Sequence, residues 1–263
     1  MKEIEQNKKA WNLISEDHYH HFKKVLEEKS YELNPIILEE LGNIKGKSLI
    51  HLQCNTGADT LSLAREGALV TGVDFVKGNV YYAKLLANDL GIPSASFIES
   101  DILTLSEIHH QTYDIVFTSE GVLGWIPDLD VWARTIRALL KDTGFFYINE
   151  IHPFYLIWDE EAFSNNEIKF KYPYFGRYKN IDTTIGGYAV PSKQTKAYDW
   201  MYSVSDVINA LIKAGLQISY FHEFDTLCFD AGNMEQVGKI GYRHPQWKDK
   251  LPMQFSIKAT VAR

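Results

Sequence analysis

Residues 48–74 read SLIHLQCNTGADTLSLAREGALVTGVD, and this stretch decides the fold. Ser48 to Gln53 is a short apolar run suited to a buried parallel strand, and Cys54-Asn55-Thr56-Gly57 is a turn. Ala58 to Glu66 places Leu61, Leu63 and Ala64 at helical spacing, Gly67 stops that helix, and Leu69 to Val73 is the next strand. Asp74 then falls at the carboxyl end of the second strand, about 20 residues beyond the turn, where an acid can hold the two hydroxyls of a ribose. A strand, turn, helix and strand of this kind make half of a nucleotide-binding site.

The turn separates two cofactor classes. Closing backbone amides on a pyrophosphate calls for three glycines in the pattern G-x-G-x-x-G, and CNTGAD has Gly57 alone. A ligand without phosphate, such as S-adenosylmethionine, needs only one close backbone approach. Further along, Phe97 to Ile102 reads as a third strand followed by an acid, and Tyr113 to Ser119 as a fourth. At the first of these ends Asp101 can accept from an adenine amine, and the Ile102 N–H can donate to a ring nitrogen. At the second, Ser119 and Glu120 line the floor beneath the methionine portion. Ligands of open α/β sheets sit beyond the strand carboxyl ends, so three separate stretches converge on one crevice.

These blocks resemble the class I S-adenosylmethionine-dependent methyltransferases. The likeness is carried by HLQCNTGADTLSLA (51–64), VTGVDF (70–75), TSEGVLGWIPDLDVWAR (118–134) and INEIHPF (148–154), and more weakly by YDWMYSVSDVINALIKAGL (198–216). The family's turn is usually written D-x-G-x-G-x-G; here His51 stands for the Asp, Gln53 and Asn55 for the first two glycines, and Gly57 matches. The resemblance implies a Rossmann-like, seven-stranded, mostly parallel sheet with an antiparallel last strand, N-terminal helices and an inserted lid. It also implies S-adenosylmethionine as cofactor, S-adenosylhomocysteine as product, and a small-molecule methyl acceptor. The cofactor would be held by Tyr19, His51, Gln53, Cys54, Asn55, Gly57, Asp74, Phe75, Asp101, Ile102, Ser119 and Glu120. Tyr19 enters because an N-terminal helix in the family often covers the cofactor. His152, past the fifth strand beside Glu150, is the candidate general base for an acceptor that must lose a proton.

Composition sets the remaining bounds. Twenty-seven Lys and Arg against 34 Asp and Glu leave a net charge of −7, which argues against a general nucleic-acid binder. Two cysteines, Cys54 and Cys228, offer neither metal spacing nor a disulfide framework and fit a reducing compartment, so a cytoplasmic location is expected. His18, His20 and His21 lack companion ligands, and no metal is expected. The start MKEIEQNKKAW has no apolar signal region, and no apolar span of about 18 residues occurs, so no membrane association is expected. Association as a homodimer stays open. The reading divides the chain into a helical cap (1–45) and a catalytic domain (46–263), with a lid at about 153–202, where KFKYPYFGRYKN and TTIGGYAVP break the strand–helix alternation. Two alternatives remain at this point: an adenosyl-cofactor-binding regulatory protein without catalysis, and an NAD-dependent Rossmann oxidoreductase.

Overall fold

The structure is a computed structural model that describes residues 2–28, 33–186 and 189–262. Residues 29–32 of the expected cap and 187–188 of the expected lid lie outside the described residues. The chain opens with α1 (Lys2–Glu27) and α2 (Pro35–Leu41), the latter started by Asn34, whose side chain accepts the Ile36 N–H, and by proline at its first position. Strict alternation follows: β1 (Ser48–Leu52), α3 (Ala58–Arg65), β2 (Leu69–Asp74), α4 (Lys77–Asp89), β3 (Ser96–Glu99), α5 (Leu105–Ile108), β4 (Tyr113–Thr118), α6 (Leu129–Leu139) and β5 (Leu140–Ile151). A single 3-10 turn at Leu123–Trp125 precedes α6.

Two short helices, α7 (Pro153–Leu156) and α8 (Glu160–Ser164), and a hairpin of β6 (Lys179–Ile185) with β7 (Lys193–Trp200) interrupt the alternation. It resumes with α9 (Val204–Lys213) and β8 (Leu216–Phe224). Ser203 and Asp206 close a capping box at the start of α9, and Gly215 ends it in the left-handed conformation. A small hairpin of β9 (Glu235–Val237) and β10 (Gly241–Arg243) comes before the last strand, β11 (Gln254–Val261).

The main sheet has seven strands in the order β3-β2-β1-β4-β5-β11-β8. The first five run parallel, and β11 lies antiparallel between β5 and β8. Successive side chains of each strand feed opposite layers. Ile50, Val116, Phe146 and Ile148 pack under α5, α6 and α9, with Trp132 wholly buried at the centre. Leu49, Ile115, Phe117 and Tyr147 pack on the other side under α2 and α3. Burial on both faces explains why these strands read as apolar runs in the sequence.

Residues 225–253 are a second insertion that the sequence reading did not separate from the core. Leu227 and Met253 from it pack with Tyr155, Ile157, Trp158 and Phe163 of the first, so the two insertions share one apolar cluster beyond the end of β5. Gly241 is required there. Its φ is 140°, and a Cβ on it would lie 2.1 Å from the Leu227 carbonyl oxygen, across a bridge in which Leu227 and Tyr242 exchange backbone hydrogen bonds.

Candidate active site

Strand order reverses between β1 and β4, and the crevice beyond their carboxyl ends is where open α/β sheets bind ligands. The turn at residues 53–57 forms one wall. Gln53 (φ 57°), Asn55 (φ 51°) and Gly57 (φ 85°) are all left-handed, so the positions where the family writes glycine keep the glycine backbone although two of them carry side chains. Each non-glycine is fastened in place. Gln53 Nε2 donates to the Val122 carbonyl at 3.0 Å, tying the turn to the segment after β4. Asn55 Oδ1 accepts the Thr56 N–H at 2.7 Å, and Asn55 Nδ2 lies 3.0 Å from His18 Nδ1. Gly57 has a further constraint, since a Cβ would come within 2.9 Å of the Phe97 ring.

Asp74 is buried at the end of β2 and braces the turn from below. Its carboxylate accepts N–H groups from Asn55 (2.9 Å), Val76 (2.9 Å) and the Asn79 side chain (3.1 Å). The Phe75 N–H also acts on this carboxylate. Burial holds its pKa up at about 6 against the pull of these donors. Phe75 lines a cleft of about 370 Å³ at the ends of β2 and β3, together with Val76, Lys77, Glu99 and, from α1, Glu5, Lys8, Lys9 and Asn12. Asp101 is half-buried and accepts the Leu103 N–H at 2.9 Å, while the Ile102 side chain points into the core.

Two of the expected residues have their polar atoms engaged elsewhere. Tyr19 does not face the crevice: its hydroxyl donates to Asp89 at 2.6 Å, its ring stacks on Tyr82, and it packs in the layer between α1 and α4. The neighbouring His18 is the residue of α1 that reaches the turn. His152 is held by the helix that it starts. Its Nδ1 accepts the Phe154 N–H at 3.0 Å and caps α7, which leaves the ring proton on Nε2, 3.1 Å from Glu223 Oε1 but out of line for a hydrogen bond. Burial pulls its pKa down to about 4, so near neutral pH the ring is uncharged and its one lone pair is taken.

The remaining expected residues gather around the end of β4. His51 is fully buried, with Nδ1 2.8 Å from Thr60 Oγ1 and Nε2 3.3 Å from Ser119 Oγ. Burial lowers its pKa to about 4, so a neutral ring stands where the family has a carboxylate. The Cys54 side chain turns down into the α3–α4 layer, and burial raises its thiol pKa. Glu120 is half-buried and takes a hydrogen bond from Gln254 Nε2 at 3.2 Å. Glu150 folds under the same segment, accepting the N–H groups of Gly121 (2.5 Å), Val122 (2.8 Å), Leu123 (3.0 Å) and Ile151 (2.7 Å). Asn149 and Gln254 were missed in the sequence. For Gln254 the one available signal was polar residues alternating with apolar ones along MQFSIKATVA. No group of three or more His, Cys, Asp or Glu side chains that could hold a metal occurs among the described residues.

Helix α1 closes the top. Asn12 Oδ1 accepts the Gly78 N–H at 3.1 Å, and Ser15 Oγ donates to Asn79 Oδ1 at 2.6 Å. A Cβ at Gly78 would meet that Asn12 oxygen at 2.5 Å, so glycine permits the close approach. At its other end Asn7 pairs with the Tyr198 backbone through both amide atoms (2.7 and 2.8 Å), and Trp11 meets Trp125 edge to face. No helix among the described residues is long and apolar enough to cross a membrane.

Comparison with known proteins gives matches of two kinds. The family described as methyltransferase domain matches residues 43–203. The ubiquinone biosynthesis O-methyltransferase of Photorhabdus laumondii is 32% identical over 126 residues, 46% of this chain and 52% of that protein. The enzyme of the same name from Vibrio campbellii is 30% identical over 126 residues, 46% of this chain and 53% of its own. The chain thus spans about half the length of the curated relatives it matches. Among solved structures, a candidate S-adenosylmethionine dependent methyltransferase from Listeria monocytogenes superposes with a TM-score of 0.61 at 20% identity, covering 86% of this chain and 95% of its own. The DhpI complex with S-adenosylhomocysteine gives a TM-score of 0.58 at 14% identity, over 99% and 97%. At such identities the structural likeness bears on the fold.

Proposed function

The chain belongs to the methyltransferase-domain family, and from that premise we propose that it transfers a methyl group from S-adenosylmethionine to a small-molecule acceptor, releasing S-adenosylhomocysteine. The observation that carries this reading is the turn, whose three left-handed residues keep the backbone path of a glycine-rich loop with a single glycine. The turn also has polar capacity to spare: Gln53 Oε1 and Thr56 Oγ1 are buried without partners. Such atoms are costly unless something meets them, which suits a ligand with an amino-acid end and a ribose. Gln53, Asn55 and Gly57 would hold the amino-acid end, Asp74 the ribose, Phe75 and Asp101 the adenine, and Ser119 the floor, while the Glu120 side chain, tied to Gln254, would lie on the acceptor side.

When bound, the cofactor supplies a methyl group on a sulfonium, which needs no further activation. The chain contributes position, orientation and exclusion of water. Helix α1 would cover the cofactor side, and the paired insertions at 153–202 and 225–253 would roof the acceptor side. Calorimetric titration with S-adenosylmethionine, S-adenosylhomocysteine, NAD and ATP tests the reading. Binding of the two adenosyl ligands in preference to the others is expected, and preferential binding of NAD would overturn it.

A further inference from the structure

The polar cluster around Glu120 has a sign. Glu120 extends from the end of β4 toward β11, where the wholly buried Gln254 donates to it, and Gln254 also reaches Asn149 Oδ1 at 3.4 Å. Gln254 Oε1 and Asn149 Nδ2 are left without partners, although both residues are fully buried. The charged groups that act on Glu120 are Asp59 at the start of α3 and Glu150 on β5, both acidic. His51 on β1 is neutral, and the Cys228 thiol of the second insertion, within reach of the charges of Glu120, Glu150 and Asp59, is pushed up and stays protonated. Glu150 has its charge met by four backbone N–H groups, whereas Glu120 has the Gln254 amide and its own backbone N–H.

We propose that Glu120 and Gln254 form the seat of the methyl acceptor's nucleophilic atom, and that this atom is an amine nitrogen whose proton Glu120 takes. The inference rests on the methyl-transfer reading above and names its substrate class. An ammonium brings at least two N–H donors and a positive charge, matching the Glu120 carboxylate and the free Gln254 oxygen together. A hydroxyl brings one donor, and its ionisation would build negative charge beside Asp59 and Glu150, which those carboxylates oppose. The unmatched Asn149 Nδ2 would serve an oxygen on the same molecule. Burial, then Asp59, then Glu150 push the Glu120 pKa up to about 8, so the arriving ammonium first displaces the carboxyl proton to water, and the carboxylate left behind is a strong proton acceptor. The ammonium gives a proton to Glu120. The freed lone pair attacks the methyl carbon as the S–CH3 bond breaks, with its electrons kept by sulfur. The products are a methylated ammonium and a neutral thioether, and Glu120 returns its proton to water.

Sinefungin tests this without knowledge of the acceptor, because it carries an amino group on carbon where S-adenosylmethionine carries its methyl-bearing sulfonium. Calorimetry on the full chain would compare it with S-adenosylhomocysteine, which lacks that cation. The wild type should bind sinefungin at least about tenfold tighter, the scale of one charge-assisted hydrogen bond. Glu120→Gln should reduce the preference to within about twofold while leaving S-adenosylhomocysteine affinity unchanged, which also shows that the variant is folded. An equal preference in Glu120→Gln, or no preference in the wild type, overturns the inference alone. Loss of S-adenosylhomocysteine binding in the variant overturns it too, since Glu120 would then hold the cofactor's own ammonium. Failure of the wild type to bind either ligand would instead remove the methyl-transfer reading, and this inference with it.

Discussion

Replacing Asn55 by glycine and, separately, by alanine divides the backbone of the turn from its side chain. Both changes delete the same contacts, the bond from the Thr56 N–H at 2.7 Å and the approach to His18 at 3.0 Å. At about 0.5–1.5 kcal/mol for a net hydrogen bond, either variant should lose ~1–3 kcal/mol. The two then differ only in what a φ of 51° costs. Alanine in the left-handed region is unfavourable by about 1–2 kcal/mol. Glycine avoids that strain but gives up about 0.4–1 kcal/mol through the greater freedom of the unfolded chain. The difference leaves the glycine variant more stable by roughly 0.5–1 kcal/mol, or a few degrees in Tm for a domain of this size. Urea unfolding of the pair at equal protein concentration resolves this, since the truncation term cancels. Calorimetry should find S-adenosylhomocysteine affinity within about threefold of wild type for glycine and weaker for alanine, whose backbone is pulled out of the turn. An alanine variant as stable as the glycine variant would refute the claim that the left-handed backbone is what the turn preserves.

Asp74→Asn turns one acceptor oxygen into a donor facing an N–H, so it should cost ~1–3 kcal/mol and weaken S-adenosylhomocysteine binding, read by thermal unfolding and calorimetry. His51 has a folded pKa of about 4 and an unfolded one near 6.5, so the folded chain binds fewer protons across that window. Stability is therefore full above about 6.5 and lost as pH falls toward 4, by up to ~3 kcal/mol, and His51→Gln should flatten that slope in urea titrations run from pH 4 to 7. Gly241→Ala sets a methyl against the Leu227 carbonyl and should cost about 1–3 kcal/mol or more by overpacking, seen as a lowered unfolding midpoint.

The core was legible because its strands are buried on both faces and its helices on one. Tyr113 to Ser119 reads as a strand and is Tyr113–Thr118, and α6 starts at Leu129 with Asp128 as its cap. Local chemistry fixes such boundaries. What α1 does was not legible, because His18 and Tyr19 are both buried on it, and one residue of helix turns a side chain by about 100°. Which of them meets the turn depends on how α1 docks against α4, a long-range matter. The same holds for Gln254 and Asn149. They meet only because β11 inserts antiparallel beside β5 with Ser256 opposite Asn149. Residues 225–253 escaped notice for a different reason: they carry no sustained period, and their burial comes from Leu227 and Met253 packing on a partner cluster more than 60 residues earlier in the chain.

One helix joins both halves of the site. Asn7 holds the Tyr198 backbone by its N–H and its C=O, as a neighbouring strand would, and His18 meets Asn55 in the turn. The two positions lie on the same continuous helix, roughly 16 Å apart at 1.5 Å per residue. A helix of this length moves as a unit, so lifting its centre to open the crevice above Asp74 and Asn79 strains the hairpin contact and the turn contact together. The amide of Asn7 is buried and has no second partner to fall back on among the described residues, so that strain cannot be relieved by a local exchange of bonds. Access to the crevice and the position of the β6–β7 hairpin are therefore set by one element, although their residues stand more than 100 positions apart in the sequence.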